Sequence, residues 1–362
     1  MNNIKKIGLT ALAGSLVTLG SATAGEMSVS GAVNVTLGLG TLGGNSSKAI
    51  GTDRDVSFTG SGELDNGTTF SMNTTMDDDF AVSGSTTTIT TPSFGSFSMG
   101  VGYGLQSGKY DEEVPQAYEQ ISDGKQTMAN LVGNYMDGNS ISYTSPTFDI
   151  MGGTVRIDAG YSPQAADVGQ NDGDNDSWSN DWAEGTELGV TINYDALTVG
   201  VYGSERENKT PLSNTTSGQE ESDEFNGAWY VKYTMGPVSI GYSETYMDGG
   251  VTADDSSSVN SSVVERTGGG IFTGEQLSIA FNVNDNMSIS YTTSDETYDT
   301  QDDAATAVTD DDDVTESVDA LQLAYSMGGM SIKAYNMETT NPDQDDDAAD
   351  RSVTEIALGF AF

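Results

Sequence analysis

The chain has 362 residues, of which 55 are acidic and 13 basic, and it contains no histidine and no cysteine. Its net charge of −42 excludes nucleic acid as a partner, because phosphate backbones are bound by basic patches. The absence of cysteine excludes disulfides and thiolate metal sites. The absence of histidine excludes Ser–His hydrolases and histidine-based zinc enzymes. We therefore expect no enzyme activity and no resident cofactor.

Residues 1–24 have the layout of an export signal. Lys5 and Lys6 precede an apolar stretch at 7–19, and Ala22-Thr23-Ala24 fits the small-residue rule for cleavage. The stretch is shorter than the ~20 apolar residues of a membrane helix, which disfavours a membrane anchor. Removal of the signal leaves 13 − 2 = 11 bases and 55 acids, a net charge of −44.

The rest of the chain alternates apolar and polar residues with a period of two, which predicts β-strands. In the first strand Val29, Val33 and Leu37 share one face, and Ser30 and Asn34 share the other. The same phase recurs up to the last residues. We predict sixteen strands at about 27–37, 54–64, 67–76, 83–90, 95–103, 139–147, 152–163, 185–194, 196–206, 225–234, 237–247, 273–283, 286–296, 317–326, 329–339 and 352–362.

The connections between these strands alternate between short turns and long polar stretches. Transmembrane barrels have this asymmetry, whereas a soluble sandwich has no reason to sort its loops by length. Strands can span lipid only in a closed barrel, because every backbone polar group needs a partner there. We therefore predict an all-β, sixteen-stranded antiparallel transmembrane barrel. Tyrosines near the strand ends predict two aromatic girdles; they are Tyr143, Tyr194, Tyr233 and Tyr325 on the turn side, and Tyr103, Tyr161 and Tyr291 on the loop side.

Two segments and the terminus resemble the general-diffusion porins of Gram-negative bacteria, especially the sixteen-stranded alphaproteobacterial type. Segment 94–100 resembles the fifth strand of that family and segment 140–148 its sixth. Phe360 and Phe362 end an alternating strand, like the signal read by the barrel-assembly machinery. The resemblance implies a homotrimer in the outer membrane, in contact with lipid and lipopolysaccharide. It also implies periplasmic termini and a third loop, about 104–138, folded into the barrel domain 25–362.

Charged residues of this third loop are candidates for the pore constriction, where clustered carboxylates select cations. They are Asp111, Glu112, Glu113, Glu119, Asp123, Lys109 and Lys125. Strand alternation directs further charges into the lumen, because a lipid-facing charge at mid-depth costs about 2–4 kcal/mol. They are Arg156, which we also assign to the constriction, and the lumen-wall residues Arg206, Lys232, Lys333, Glu187 and Glu355. Many general porins place arginines on the early strands, where the inward positions here carry only Ser, Thr and Asn. This departure predicts cation preference.

Two motifs have competing interpretations. Asp172, Asp174 and Asp176 alternate as in calcium loops, but Ala183 stands where an EF-hand has its bidentate glutamate. A specific calcium site and a diffuse acidic rim both stay open. The stretch 38–43 matches GxGxxG, but a polar loop and another alternating strand are predicted after it, not the helix of a dinucleotide site.

The expected function is a water-filled channel for passive diffusion of small hydrophilic solutes and ions. One alternative is a substrate-selective outer-membrane channel, which would use the same wall. The other is a secreted, non-membrane β-rich surface protein.

Overall fold

The computed structural model describes residues 25–42, 45–77, 81–101, 106–121, 139–165, 182–208, 223–249, 271–299, 313–344 and 347–362. Among them no helix is long and apolar enough to cross a membrane. The described chain forms one antiparallel sheet of seventeen strands. They are β1 Glu26–Leu42, β2 Asn45–Glu63, β3 Thr69–Met76, β4 Val82–Thr91, β5 Gly95–Val101, β6 Asn139–Thr144, β7 Phe148–Ile150, β8 Gly153–Gln164, β9 Trp182–Tyr194, β10 Leu197–Asn208, β11 Glu224–Met235, β12 Val238–Asp248, β13 Ile271–Asn284, β14 Met287–Asp299, β15 Val314–Met327, β16 Met330–Thr340 and β17 Arg351–Ala361.

The sheet closes on itself because β1 pairs with both β2 and β17. Val35, for example, lies opposite Thr52 on one side and Leu358 on the other. Strands β6 and β7 both pair with β8 and make one wall strand, interrupted at 145–147 where Pro146 has no N–H to donate. Counting them as one gives 17 − 1 = 16 wall strands. The predicted closed, sixteen-stranded antiparallel barrel is confirmed.

Burial is reversed relative to a water-soluble protein. In β13 the apolar Leu277 and Ile279 are 50% and 48% exposed, whereas the alternating Gln276 and Ser278 are 2% and 1% exposed. Residues opposite one another in neighbouring strands share a face, so the pairing carries this division around the barrel. The outer face is therefore apolar and the inner face polar, as expected for a barrel surrounded by lipid.

From β7 onward the short connections all lie at one end of the barrel. Four of them contain a residue with positive φ, which closes a two-residue hairpin: Gly152 at 85°, Asp195 at 51°, Gly236 at 60° and Gly328 at 64°. Glycine reaches this conformation without steric cost, and aspartate is among the few other residues that adopt it. The predicted alternation of short and long connections holds in this part of the chain.

The first hairpin is longer than the sequence predicted. The residues expected to form a polar loop after position 38 continue β1 and β2, and their ladder extends to the pair Leu42 and Asn45. That expectation is wrong because hydroxyl-rich residues such as Ser46 and Ser47 fit a ladder as well as a loop. The described part of the GxGxxG match, residues 38–42, accordingly lies in β1.

The C-terminal Phe362 is held by β1. Its backbone exchanges two hydrogen bonds with Gly31, at 2.9 and 3.1 Å. A Cβ atom at Gly31 would lie 2.7 Å from the Phe362 ring, so a larger residue there would displace the ring. Phe360 lies opposite Val33 on the outer face and is 40% exposed. The role of these residues as an assembly signal stays a prediction.

Candidate functional site: the barrel lumen

A segment of the predicted third loop, Gln106–Ile121, lies inside the barrel; we call it the inner segment. It starts beside β6, where Gln106 Nε2 donates to Tyr143 O at 3.2 Å. It ends beside β15, where Gln322 Nε2 donates to Glu119 O at 2.7 Å. The segment thus follows the inner wall away from its own strands, across β8 to β15.

Asp158 on β8 anchors the start of the inner segment. Its buried carboxylate accepts hydrogen bonds from Lys109 Nζ at 2.7 Å, Tyr110 OH at 2.8 Å, Thr144 Oγ1 at 2.8 Å and Arg156 Nε at 2.9 Å. Burial of an unpaired carboxylate is costly, and four donors compensate this one. Two bases proposed for the constriction therefore share one acid.

The middle of the inner segment is held by β11 and β13. Glu113 forms an ion pair with Lys232. Glu112 is buried with a φ of 43°, and Gln276 Nε2 donates to its Oε1 at 3.0 Å. A non-glycine residue persists in this conformation when its surroundings fix it. Ser278 Oγ adds a bond of 2.5 Å to Pro115 O.

The far end of the inner segment rests on β14 to β17. Tyr118 OH donates to Glu355 Oε1 at 2.7 Å, and Lys333 Nζ lies 4.8 Å from the centre of the Tyr118 ring. Ile121 is fully buried in an apolar cluster with Val318, Ala320, Tyr335 and Met337. This contact adds hydrophobic burial to the polar contacts that hold the segment.

Burial changes the protonation equilibria of the inner segment. Burial is the main cause that raises the pKa of the Tyr110 and Tyr118 hydroxyls, and the nearby carboxylates of Asp158 and Glu355 add to the effect. Burial lowers the pKa of Lys109, although its bond to Asp158 opposes this. Both tyrosines are therefore neutral donors at neutral pH.

Glycines in the wall make room for the inner segment. A Cβ atom at Gly241 on β12 would lie 2.4 Å from Pro115 Cδ, and one at Gly189 on β9 would lie 2.3 Å from the Tyr110 ring. Real Cβ contacts do not come so close, so larger residues would push the segment off the wall. The alternating sequence pattern did not single out these two glycines, because it showed only that they are small.

The remaining predicted wall charges also lie inside the barrel. Arg206 is buried, and its Nε and Nη2 both donate to Glu224 Oε2, at 2.9 and 2.5 Å, while its Nη1 donates to Ala165 O at 3.0 Å. Glu187 accepts from Tyr202 OH at 2.8 Å. Hydrogen bonds between charged groups are short and strong. Arg206, like Arg156, therefore has a carboxylate partner within the wall.

The inner face of β1 to β5 has a different composition. Its side chains at the height of Lys232 are Ser, Thr and Asn, joined in pairs such as Thr59 with Asn73 at 2.9 Å and Thr88 with Ser98 at 2.8 Å. Asp53 and Asp55 add two inward carboxylates farther from the turns, opposite Asn34 and Ala32. The sequence prediction missed Asp53 because it began that strand at residue 54. Asp55 lies within the predicted strand and shares the face of Ser57, so the alternation could have found it.

Some predicted residues lie outside the described chain, and some important ones were missed. The first group is Asp123 and Lys125 of the third loop, the predicted calcium ligands Asp172, Asp174 and Asp176, and the girdle residue Tyr103. The second group is Asp158, Tyr110 and Tyr118. Asp158 could have been found, because it follows Arg156 by two residues and therefore shares its face.

A closed barrel of sixteen strands with an apolar outer face, a polar lumen and an inserted segment defines the class of outer-membrane channels. The family model described as Gram-negative porin matches residues 8–362, and the chain belongs to that family. It is an integral protein of the outer membrane. A comparison with curated protein sequences finds no match.

Solved structures share the fold at low sequence identity. The outer-membrane-expressed OmpT of Vibrio cholerae is 15% identical with a TM-score of 0.63, covering 95% of this chain and all of that one. The anion-selective porin from Comamonas acidovorans is 12% identical with a TM-score of 0.62, covering 93% and 100%. Salmonella typhi OmpF is 12% identical with a TM-score of 0.66, covering 94% and 98%. At these identities the likeness concerns the fold alone.

Proposed function

We propose that the protein is a passive diffusion channel for small hydrophilic solutes and ions. One observation carries this proposal. The inner segment bonds to β6 and to the wall from β8 to β17, which leaves the polar face of β1 to β5 to line a water-filled path. Planar-bilayer recording with purified protein tests it. Stepwise ohmic conductance is expected, and a protein that inserts without conductance would contradict it.

The channel prefers cations. Four bases of the described lumen are ion-paired: Lys109 and Arg156 with Asp158, Arg206 with Glu224, and Lys232 with Glu113. Asp53 and Asp55 face the lumen on the opposite wall. Excess carboxylate attracts cations and repels anions. In a KCl gradient the reversal potential should have the sign of a potassium-selective pore, and the chloride sign would refute this preference.

The protein forms trimers through the outer face of β1 to β5. Arg54 lies opposite Val33, at the middle of β2, and is directed outward and exposed. Thr52 lies two residues from it on the same face, and Thr74 and Thr87 add hydroxyls farther along the outer face of β3 and β4. An arginine that faces lipid within the membrane costs free energy, which a protein surface avoids. Unheated electrophoresis should show a trimer that heating converts to a monomer, and a monomer in mild detergent would contradict the trimer.

A transport role is favoured over an enzymatic one. The chain has no histidine and no cysteine. The buried Asp158 and Glu224 are committed to structural ion pairs. A carboxylate already held by several donors is a poor general base, because its charged form is stabilised.

A further inference from the structure

Two shallow grooves lie on the outer face of the barrel, between β9 and β15. Their volumes are about 480 and 640 Å³, and Val201 lines both of them. Gly203 lines the smaller groove and Gly227 the larger one, and these two outward glycines lie opposite one another on β10 and β11. Because neither glycine has a side chain, the sheet is open there to close approach by another molecule.

Apolar and aromatic side chains form the sides of the two grooves. Leu188 and Phe225 line the smaller groove, and Trp229 and Tyr246 line the larger one. The Trp229 ring lies 5.5 Å from the ring of Tyr242, which extends the aromatic surface on the next strand. Aromatic rings of this kind mark the level where hydrocarbon meets lipid headgroups, so the grooves suit an acyl chain.

Three carboxylates line the larger groove. Glu244, Glu275 and Asp295 lie opposite one another on β12, β13 and β14. Like charges directly opposite one another destabilise a sheet. The described bases of β9 to β16 all face the lumen, so the described part of this outer face has no positive charge of its own. A cation from the surroundings would therefore be attracted to this row of carboxylates.

The carboxylates lie at the level expected for a lipid headgroup. Glu244 follows the start of β12 by six residues, Glu275 precedes the end of β13 by nine, and Asp295 follows the start of β14 by eight. A tilted strand crosses the membrane in about 9–11 residues, so these positions lie near the boundary on the side of the long connections. The outward positions nearer the turns are apolar, for example Leu277 and Ile289.

The geometry of the row favours an ammonium group over a bare metal ion. Among the described residues no three acidic side chains converge closely enough to hold a metal ion. Glu244 is fixed by the rings beside it, because Trp229 Nε1 donates to its Oε2 at 2.9 Å and Tyr242 OH donates to its Oε1 at 2.7 Å. A primary ammonium group has three N–H donors for separate carboxylates, and aromatic faces attract its charge.

We propose that the outer face of β9 to β15 binds a membrane lipid whose headgroup carries a primary ammonium group. Its acyl chains lie in the two grooves, and its ammonium group bonds to the row formed by Glu244, Glu275 and Asp295. The proposal depends on the location of the barrel in the outer membrane and is independent of conduction through the lumen.

Quenching of Trp229 fluorescence by brominated lipids tests the proposal. The chain has three tryptophans, so Trp178→Phe and Trp182→Phe leave only Trp229, which lines the larger groove. The purified protein is placed in vesicles of phosphatidylethanolamine and phosphatidylcholine, with bromine on the acyl chains of one lipid or the other. These two lipids have the same net charge, but only the first has N–H donors in its headgroup.

Brominated phosphatidylethanolamine should quench Trp229 at a lipid fraction about fivefold lower than brominated phosphatidylcholine, the effect of one added hydrogen bond. Equal quenching by the two lipids would overturn the proposal. A third set of vesicles contains brominated phosphatidylglycerol and Mg²⁺. Stronger quenching there than by phosphatidylethanolamine would also overturn the proposal, and would indicate a metal bridge to an anionic lipid.

Two matched double variants separate the groove from the general negative charge of the outer face. Glu275→Gln with Asp295→Asn removes two opposed carboxylates at the larger groove. Asp319→Asn with Glu338→Gln removes two opposed carboxylates of β15 and β16 that line neither groove. The preference for phosphatidylethanolamine should be lost in the first variant and kept in the second, and equal preferences would contradict the proposal. Heat-modifiable mobility checks folding, and Glu275→Gln alone replaces the first variant if that variant does not fold.

Discussion

The two sides of this barrel are built by different means. The wall from β8 to β17 bears the inner segment and holds it with Asp158, Lys232 and Glu355. The wall from β1 to β5 carries small hydroxyl side chains that bond only locally, such as Thr90 with Ser96 at 2.8 Å. Because the segment depends on buried charges and close packing, we expect the first side to be sensitive to single substitutions and the second to be tolerant.

The largest effect is expected at Asp158. Asp158→Asn leaves Lys109 and Arg156 without their acid, and breaking a buried ion pair costs about 3 kcal/mol here. We take the lower end of the usual range because both basic side chains are 33% exposed. The variant should unfold at lower urea concentration. Its reversal potential in a KCl gradient should shift toward the value of an anion-selective pore.

The exposed Asp149 on β7 provides the control for this prediction. Asp149→Asn removes the same charge from the turn end of the barrel and should change neither stability nor selectivity. Equal behaviour of the two variants would show that Asp158 does not hold the inner segment.

A smaller effect is expected from the glycines under the inner segment. Gly241→Ala places a Cβ atom 2.4 Å from Pro115 and should cost about 2 kcal/mol of unfolding free energy. Gly60→Ala on β2 meets nothing within 4 Å and should be neutral. Urea unfolding of both variants measures the difference. A neutral Gly241→Ala would mean that the segment does not press on β12.

Alkaline pH should weaken the inner segment through its tyrosines. The pKa values of Tyr110 and Tyr118 are raised above the ordinary 10.0, so their contribution to stability is complete below pH 10 and is lost as the unfolded state ionises above it. Above pH 10, each tyrosine lowers the free energy of unfolding by about 1.4 kcal/mol per pH unit. The double variant with phenylalanine at both positions should show a shallower decline between pH 10 and 11; an identical decline would rule out these two tyrosines as its source.

The smallest effect is expected in the hydroxyl wall. Thr90→Val keeps the shape of the side chain and removes one neutral hydrogen bond to Ser96, which is worth about 0.5 kcal/mol. Its conductance should equal that of the parent protein. If Thr90→Val lowered the free energy of unfolding as much as Asp158→Asn, the two sides of the barrel would not differ in their sensitivity to substitution.

The alternation of residues such as Leu277, Ser278 and Ile279 was enough to predict strands, their faces and a closed barrel, because a two-residue period leaves each side chain one of two directions. The same rule directed Arg156 and Lys232 inward. It could not predict that Asp158 would meet Lys109, because nothing in local periodicity relates residues 49 positions apart.

The sequence by itself therefore determined the architecture: strands with one apolar face and one polar face, joined by connections that alternate between short and long. Only the tertiary structure decided where the inner segment lies and which charged residues of the wall it pairs with. Tyr110, Glu113 and Tyr118 meet partners on different strands. Those partners come together because the sheet closes into a cylinder, and closure is a property of the whole chain.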